Sequence, residues 1–147
     1  MNKEVLISFV GTQDDGEDCE KIELFTEGKL YEKGGHFYVS YAESSLTGME
    51  GTTTTLKVEH EKNVITMMRF GTNSTHLIFE KGKKHICCYE TGYGALSVGV
   101  HAEYVDIDLN ENGGKLAARY SIDVNNRLLS VNDFNITIKE RKETNEY

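Results

Sequence analysis

The chain has 147 residues, 14 glycines, no proline, three cysteines and a formal net charge of −8. That length fits one domain, and folding at this size buries roughly 68–70% of the unfolded surface, so no metal or disulfide staple is required. The acidic balance repels phosphate backbones and argues against a nucleic-acid partner. The densest basic cluster, Lys81, Lys83 and Lys84, reads as the solvated tip of a hairpin.

No apolar run approaches the roughly 18 residues that span a bilayer as a helix. The start, Met1-Asn2-Lys3-Glu4-Val5, lacks the apolar core and cleavage site of a signal peptide. A cytoplasmic protein with no membrane partner is expected, and the N-x-[ST] matches at Asn73 and Asn135 then carry no meaning. Cys19, Cys87 and Cys88 are odd in number and include an adjacent pair, which is not a disulfide framework. Neighbouring strand residues point to opposite faces, so Cys87 and Cys88 should not bond to each other.

Without proline every position can donate to a sheet ladder, and turns fall to Gly, Asn and Asp. The chain then reads as short β-rich runs separated by turn signals. Val5, Ile7 and Phe9 mark a first strand. Ile22 and Leu24 begin a second that continues toward Leu30, and Phe37, Val39 and Tyr41 mark a third. Residues 42–51 form a longer connection with room for one helical turn or a lid.

A meander follows. A turn at Glu61-Lys62 sets Val58 opposite Ile65, Leu56 opposite Met67 and Thr54 opposite Arg69. A turn at Gly82-Lys83 sets Phe79 opposite Ile86 and Leu77 opposite Cys88, with His85, Cys87 and Tyr89 on the other face. Leu96, Val98 and Val100 precede a bend near Ala102-Glu103, after which Val105, Ile107 and Leu109 alternate. Lys115 to Tyr120 has helical propensity, yet Leu116, Ala118, Tyr120, Ile122 and Val124 alternate behind Gly113-Gly114, which is a strand pattern. Asn125-Asn126 suits a type I′ turn. It sets Ile122 opposite Leu129 and Tyr120 opposite Val131. The apolar parity then shifts to Phe134, Ile136 and Ile138, which predicts a β-bulge near Asn132-Asp133.

These nine or ten runs favour an all-β fold, an antiparallel up-and-down β-barrel of about eight to ten strands, over a sandwich. Residues 1–140 form the single barrel domain, and 141–147 are a charged, frayed C-terminal tail.

Several stretches resemble one family. Leu46-Thr47-Gly48-Met49-Glu50-Gly51-Thr52-Thr53-Thr54-Thr55-Leu56-Lys57 is one anchor. Arg69-Phe70-Gly71, Tyr89-Glu90-Thr91-Gly92-Tyr93-Gly94, Tyr120-Ser121-Ile122 and the closing Ile136-Thr137-Ile138-Lys139-Glu140 are the others. Together they resemble the YwiB-like family of small bacterial proteins of unknown function. The likeness runs nearly end to end, strongest after residue 40 and weakest in the first 20. Gly92 stands where the family pattern has proline before the aromatic-Gly step. The resemblance implies a calycin-type, lipocalin-like β-barrel in a bacterial cytosol. It implies no activity.

Candidate ligand-binding residues are Arg69, Thr54, Tyr41, Tyr89 and Tyr120. Arg69 shares a face with Ile65 and Met67. If that face lines the barrel, its guanidinium needs an anion or several acceptors. A structural partner such as Glu50, Asp133 or backbone carbonyls outweighs a ligand in that reading. Tyrosine supplies a flat wall with one polar handle, although core filling is the commoner role for any one of them. His85, Cys87 and His76 could suggest zinc, but no C-x-x-C or H-x-x-x-H spacing supports it, and no metal site, cofactor or catalytic residue is assigned. There is no G-x-S-x-G, phosphate loop or H-E-x-x-H.

Three functional readings follow, in order. The first is a non-enzymatic barrel that binds a small apolar or amphipathic molecule, an anionic one included, in its lumen. The second is a protein-interaction or regulatory module with a side-chain-filled barrel. The third is a small barrel enzyme. The expected partner is a small-molecule ligand, and the expected state is monomer or homodimer.

Overall fold

Alternating apolar and polar residues build ten strands in chain order. They are β1 (Asn2–Asp14), β2 (Cys19–Lys33), β3 (His36–Ala42), β4 (Thr52–Glu59), β5 (Val64–Gly71), β6 (Ser74–Glu80), β7 (Lys84–Thr91), β8 (Gly94–Asn110), β9 (Gly113–Val124) and β10 (Arg127–Glu140). The structure is a computed structural model that describes residues 2–44, 50–71, 74–91 and 94–141. Residues 45–49 of the expected lid connection, the Gly92-Tyr93 step and residues 142–147 of the tail lie outside the described residues. Each strand pairs antiparallel with its sequence neighbours, and β1 pairs with β10, so the sheet closes into an up-and-down barrel. Closure gives each of the described strands a neighbour on both sides.

Most registers follow from side-chain parity. Thr54 faces Arg69, Leu56 faces Met67 and Val58 faces Ile65. The turn between β4 and β5 is closed by Asn63 in the left-handed region at φ 57°. Asn125 and Asn126, at φ 53° and 66°, make the β9–β10 turn, as the positive-φ tolerance of asparagine allows. The bend in β8 is an irregularity between Ala102 and Tyr104. Gly114, at φ +144°, lies so close to β8 that a Cβ would collide with the Asp108 carbonyl oxygen, so only glycine fits there.

Two registers differ from the expectation. Tyr89 pairs with Thr75 and Cys88 with His76, one residue away from the pairing drawn from a Gly82-Lys83 turn. Cys87 is therefore buried, whereas Ile86 is 71% exposed. The cause is tertiary. Direct β6–β7 pairing runs only from Ser74 to His76. Beyond it the β6–β7 turn attaches to β8, with Gly82 N–H donating to the Ala102 carbonyl at 2.9 Å. Close-range hairpin geometry does not set this register, because the turn is held by a third strand.

The second difference lies in β10. The register shifts between Leu128 and Ser130, not at Asn132-Asp133. Tyr120 therefore faces Asn132 and Ile122 faces Ser130. Ser130, Asn132, Phe134, Ile136 and Ile138 are all buried on one continuous inward face. Reading parity from apolar residues alone missed the two polar ones, so the bulge was expected too late. Arg141 N–H donates to the Glu4 carbonyl at 3.0 Å, and its guanidinium lies 3.0 Å from Glu27.

The inward residues fill one end of the barrel. Val5, Ile7, Leu30, Val39, Leu56, Val58, Ile65, Phe79, Leu116, Ile136 and Ile138 are buried. The β4–β5 turn reaches across beneath them. Asn63 Nδ2 donates to the Val105 carbonyl at 2.9 Å, and His60 Nε2 lies 2.7 Å from the Leu109 carbonyl oxygen. Above this packed end Phe79, Tyr120, Phe134 and Phe9 stack in series, with centroids 4.4 Å apart for Phe79–Tyr120 and 6.1 Å for Phe9–Phe134. Offset and edge-on aromatic contacts of this kind favour a fixed arrangement. They form a floor across the barrel.

Candidate ligand cavity

A cavity of about 420 Å³ opens above the aromatic floor. That volume lies within the usual range for small-molecule sites, roughly 300–1,000 Å³. Its walls are mostly apolar, with Phe9, Met67, Leu77, Val98 and Phe134 below and Leu96 and Leu129 toward the mouth. Polar residues line it from five strands: Thr12 and Gln13 on β1, Arg69 on β5, Tyr89 on β7, Tyr120 on β9, and Ser130, Asn132 and Asp133 on β10.

Arg69 is where the expected site residues meet. Its side chain is 13% exposed. Nε lies 3.4 Å from Thr54 Oγ1, to which it donates, and 3.8 Å from Glu43 Oε2. Thr54 in turn donates its hydroxyl to the same Glu43 oxygen. Tyr41 is buried beside this group, directly opposite Thr54 on the β3–β4 ladder. Both contacts that the described residues make with the guanidinium run through Nε, so neither uses the terminal amino groups. The guanidinium thus divides an inner polar layer of Glu43, Thr54 and Tyr41 from the cavity, which Tyr89 and Tyr120 face.

The partner of Arg69 is Glu43, not Glu50 or Asp133. Glu50 is exposed. Asp133 lines the cavity but lies 3.5 Å from Arg119, which also bonds Glu103 at 3.0 Å. Glu43 is only 2% exposed in its side chain, and its N–H donates to the Thr52 carbonyl at 2.8 Å, which continues the β3–β4 ladder. A sequence signal for it existed. Val39, Tyr41 and Glu43 have the same parity, so extending the strand one step beyond Tyr41 puts a carboxylate on the inward face. Ser130 and Asn132 were missed through the late bulge; here Asn132 Nδ2 donates to Ser130 Oγ at 3.0 Å.

Burial shapes the protonation of the phenols. The Tyr120 hydroxyl is pushed up to about 12, chiefly by desolvation, with Arg69 opposing and Tyr89 and Asp133 adding to it. Tyr41 is raised further by burial and then by the Glu43 charge, against Arg69 and the Thr54 hydrogen bond. Both stay neutral near pH 7 and can donate or accept hydrogen bonds. The zinc idea gains no support among the described residues. His76 is exposed on the outer face, Cys87 is buried with its thiol raised by burial, and His85 Nε2 lies 3.0 Å from Glu80 Oε1.

A closed ten-stranded antiparallel barrel, packed at one end and hollow at the other, defines the class of protein. The comparisons give the family. Residues 7–138 match the model of a domain of unknown function, DUF1934, and the chain belongs to that family. It is 28% identical over 125 residues to the uncharacterized beta-barrel protein YwiB of Bacillus subtilis (strain 168), covering 85% of this chain and 84% of that one. The crystal structure of the B. subtilis ywiB protein superposes with a TM-score of 0.83 at 23% identity, over 96% of this chain and 94% of that one. That likeness shows the fold. The family has no established activity.

Proposed function

We propose that the chain is a non-enzymatic binding protein that takes one small amphipathic molecule into the open half of its barrel. The observation that carries this reading is the cavity of about 420 Å³ with Arg69 in its wall. Its apolar walls suit a hydrocarbon portion. Arg69, Tyr89, Tyr120 and Asn132 supply hydrogen-bond donors for one polar group. Thr54 and Tyr41 belong to the site as supports that orient Arg69, not as ligand contacts. The proposal includes a cytoplasmic setting and a monomer or homodimer.

Native mass spectrometry of the purified full chain tests it. A co-purifying molecule of a few hundred daltons is expected. Adding such a molecule at about one hundred times its Kd should stabilise the fold by about 2.7 kcal/mol. Leu96→Trp, which narrows the mouth, should abolish that gain. A clean apo mass with no thermal stabilisation across an amphiphile screen would overturn the proposal.

A second reading, a protein-interaction module, draws on the outer wall. Phe25, Phe70, Ile86 and Leu128 are 62–72% exposed. Large exposed apolar side chains mark interaction surfaces when they form a contiguous patch. Ile86 and Leu128 lie on one cross-strand row of the outer wall, separated by Gly99 and by Asp123, which pairs with Lys84 at 3.0 Å.

A further inference from the structure

We infer that Glu43 determines which polar group the cavity accepts, and that the ligand carries an uncharged amide, ester or hydroxyl rather than a carboxylate or phosphate. This inference rests on the cavity-binding proposal above and names the ligand class for that same site.

The argument begins with the charges around Arg69. A lone buried guanidinium would call for an anionic ligand. Arg69 is not alone, because the Glu43 carboxylate lies 3.8 Å from Nε and is itself 2% exposed. Arg69 therefore has a counter-charge of its own before any ligand enters. The other nearby carboxylate, Asp133, alternates with the inward Asn132 and Phe134 and pairs with Arg119 on the outer wall, where Arg119 also bonds the exposed Glu103. The neighbouring phenols of Tyr41 and Tyr120 are held neutral by burial. An entering anion would add negative charge to a low-dielectric site that already has its counter-charge, and would give up its own hydration to do so.

An uncharged acceptor meets a different balance. The guanidinium has five N–H donors in a fixed fork, and Thr54 and Glu43 approach it through Nε. A carbonyl or hydroxyl oxygen can take the terminal donors and those of Tyr89 or Tyr120 without adding charge. Glu43 is placed to hold this balance. Its backbone is pinned to Thr52 and its carboxylate to the Thr54 hydroxyl, so it cannot easily swing away when a competing anion arrives. It is a specificity-determining residue that acts through Arg69.

Decanamide and decanoate form a matched pair of probes, equal in tail and differing in charge. Isothermal titration calorimetry of the full chain should show decanamide bound about tenfold more tightly or better. In Glu43→Gln, which keeps the shape and removes the charge, the preference should shrink at least about tenfold or reverse toward decanoate. Tighter decanoate binding by the unaltered chain would overturn the inference, as would an unchanged ratio in a folded Glu43→Gln variant. The unaltered chain alone reads the sign of the preference, so the test survives a variant that does not fold. If neither probe binds the unaltered chain, the cavity-binding proposal falls and this inference with it. If both bind but decanoate wins, this inference falls and the cavity-binding proposal stands.

Discussion

The two ends of this barrel share all their strands and differ in what fills them. At the packed end branched aliphatic residues from β1, β2, β4, β5, β9 and β10 meet at the axis, and the β4–β5 turn seals them with His60 and Asn63 on β8 carbonyls. At the open end the same inward positions carry Gly11, Arg69, Tyr89, Ser130 and Asn132. Small and polar residues there cannot meet across the lumen, so a cavity stays open above the Phe79–Tyr120–Phe134 floor. The difference teaches that a barrel of this size is neither a filled core nor a container by topology alone. The choice is made by a handful of inward side chains.

Substitutions at the two ends should therefore behave differently. Leu56→Ala, at a fully buried position of the packed end, should cost about 2–5 kcal/mol, read as a fall in the urea midpoint at unchanged m-value. If it costs no more than a change at the mouth, the packed end is not the stability core. Arg69→Met comes next. It strands the Glu43 carboxylate, and the expected loss is about 2–3 kcal/mol, below the 3–5 of a fully buried pair because the guanidinium keeps some contact with water. Pairing it with Glu43→Gln should recover part of that loss, and a strictly additive double-mutant cycle would show that the two side chains do not interact.

Alkaline pH probes the polar layer beneath the cavity. Tyr120 has its folded-state pKa raised from 10 to about 12, and Tyr41 is raised in the same direction. The stability this contributes is complete below pH 10. Above it the unfolded state loses its phenol protons first, so stability falls by up to about 1.4 kcal/mol per pH unit for each tyrosine until the folded-state value is reached. Tyr120→Phe should flatten the slope between pH 10 and 12 in denaturant melts, and an unchanged slope would show that Tyr120 titrates as an ordinary exposed phenol. The smallest effect belongs to the mouth. Leu129 is 46% exposed, and Leu129→Ala should change stability by less than about 0.5 kcal/mol while weakening ligand binding. A larger stability loss would mean that Leu129 packs as core.

Local alternation was a good guide to the β4–β5 hairpin and to the strand character of β9. The pairing of Thr54 with Arg69 followed from one turn and a period of two. The strand nature of residues 113–124 followed from alternation despite helix-favouring residues. The structure places Arg69, Tyr89 and Tyr120 along one cavity with Thr54 beside Arg69, although the turn drawn at Gly82-Lys83 puts Tyr89 on the face opposite Leu77. Alternation failed where a contact outside the hairpin took control. The β6–β7 register depends on Gly82 reaching β8, which no local pattern encodes. The bulge at Leu129 is hidden because Ser130 and Asn132 are polar yet face inward.

The amino-acid order by itself determined the all-β class, a count of about eight to ten strands, the Asn125-Asn126 turn and the face that Arg69 shares with Ile65 and Met67. These properties arise from steric and hydrophobic preferences over a few residues. Closure of the barrel, the hollowness of one end and the pairing of Arg69 with Glu43 were decided only in the tertiary structure. They depend on how ten inward faces fill a shared volume, and on which of several carboxylates the fold carries within reach of one guanidinium. That second decision changes the expected ligand, since an arginine with its own counter-charge has less need of an anion.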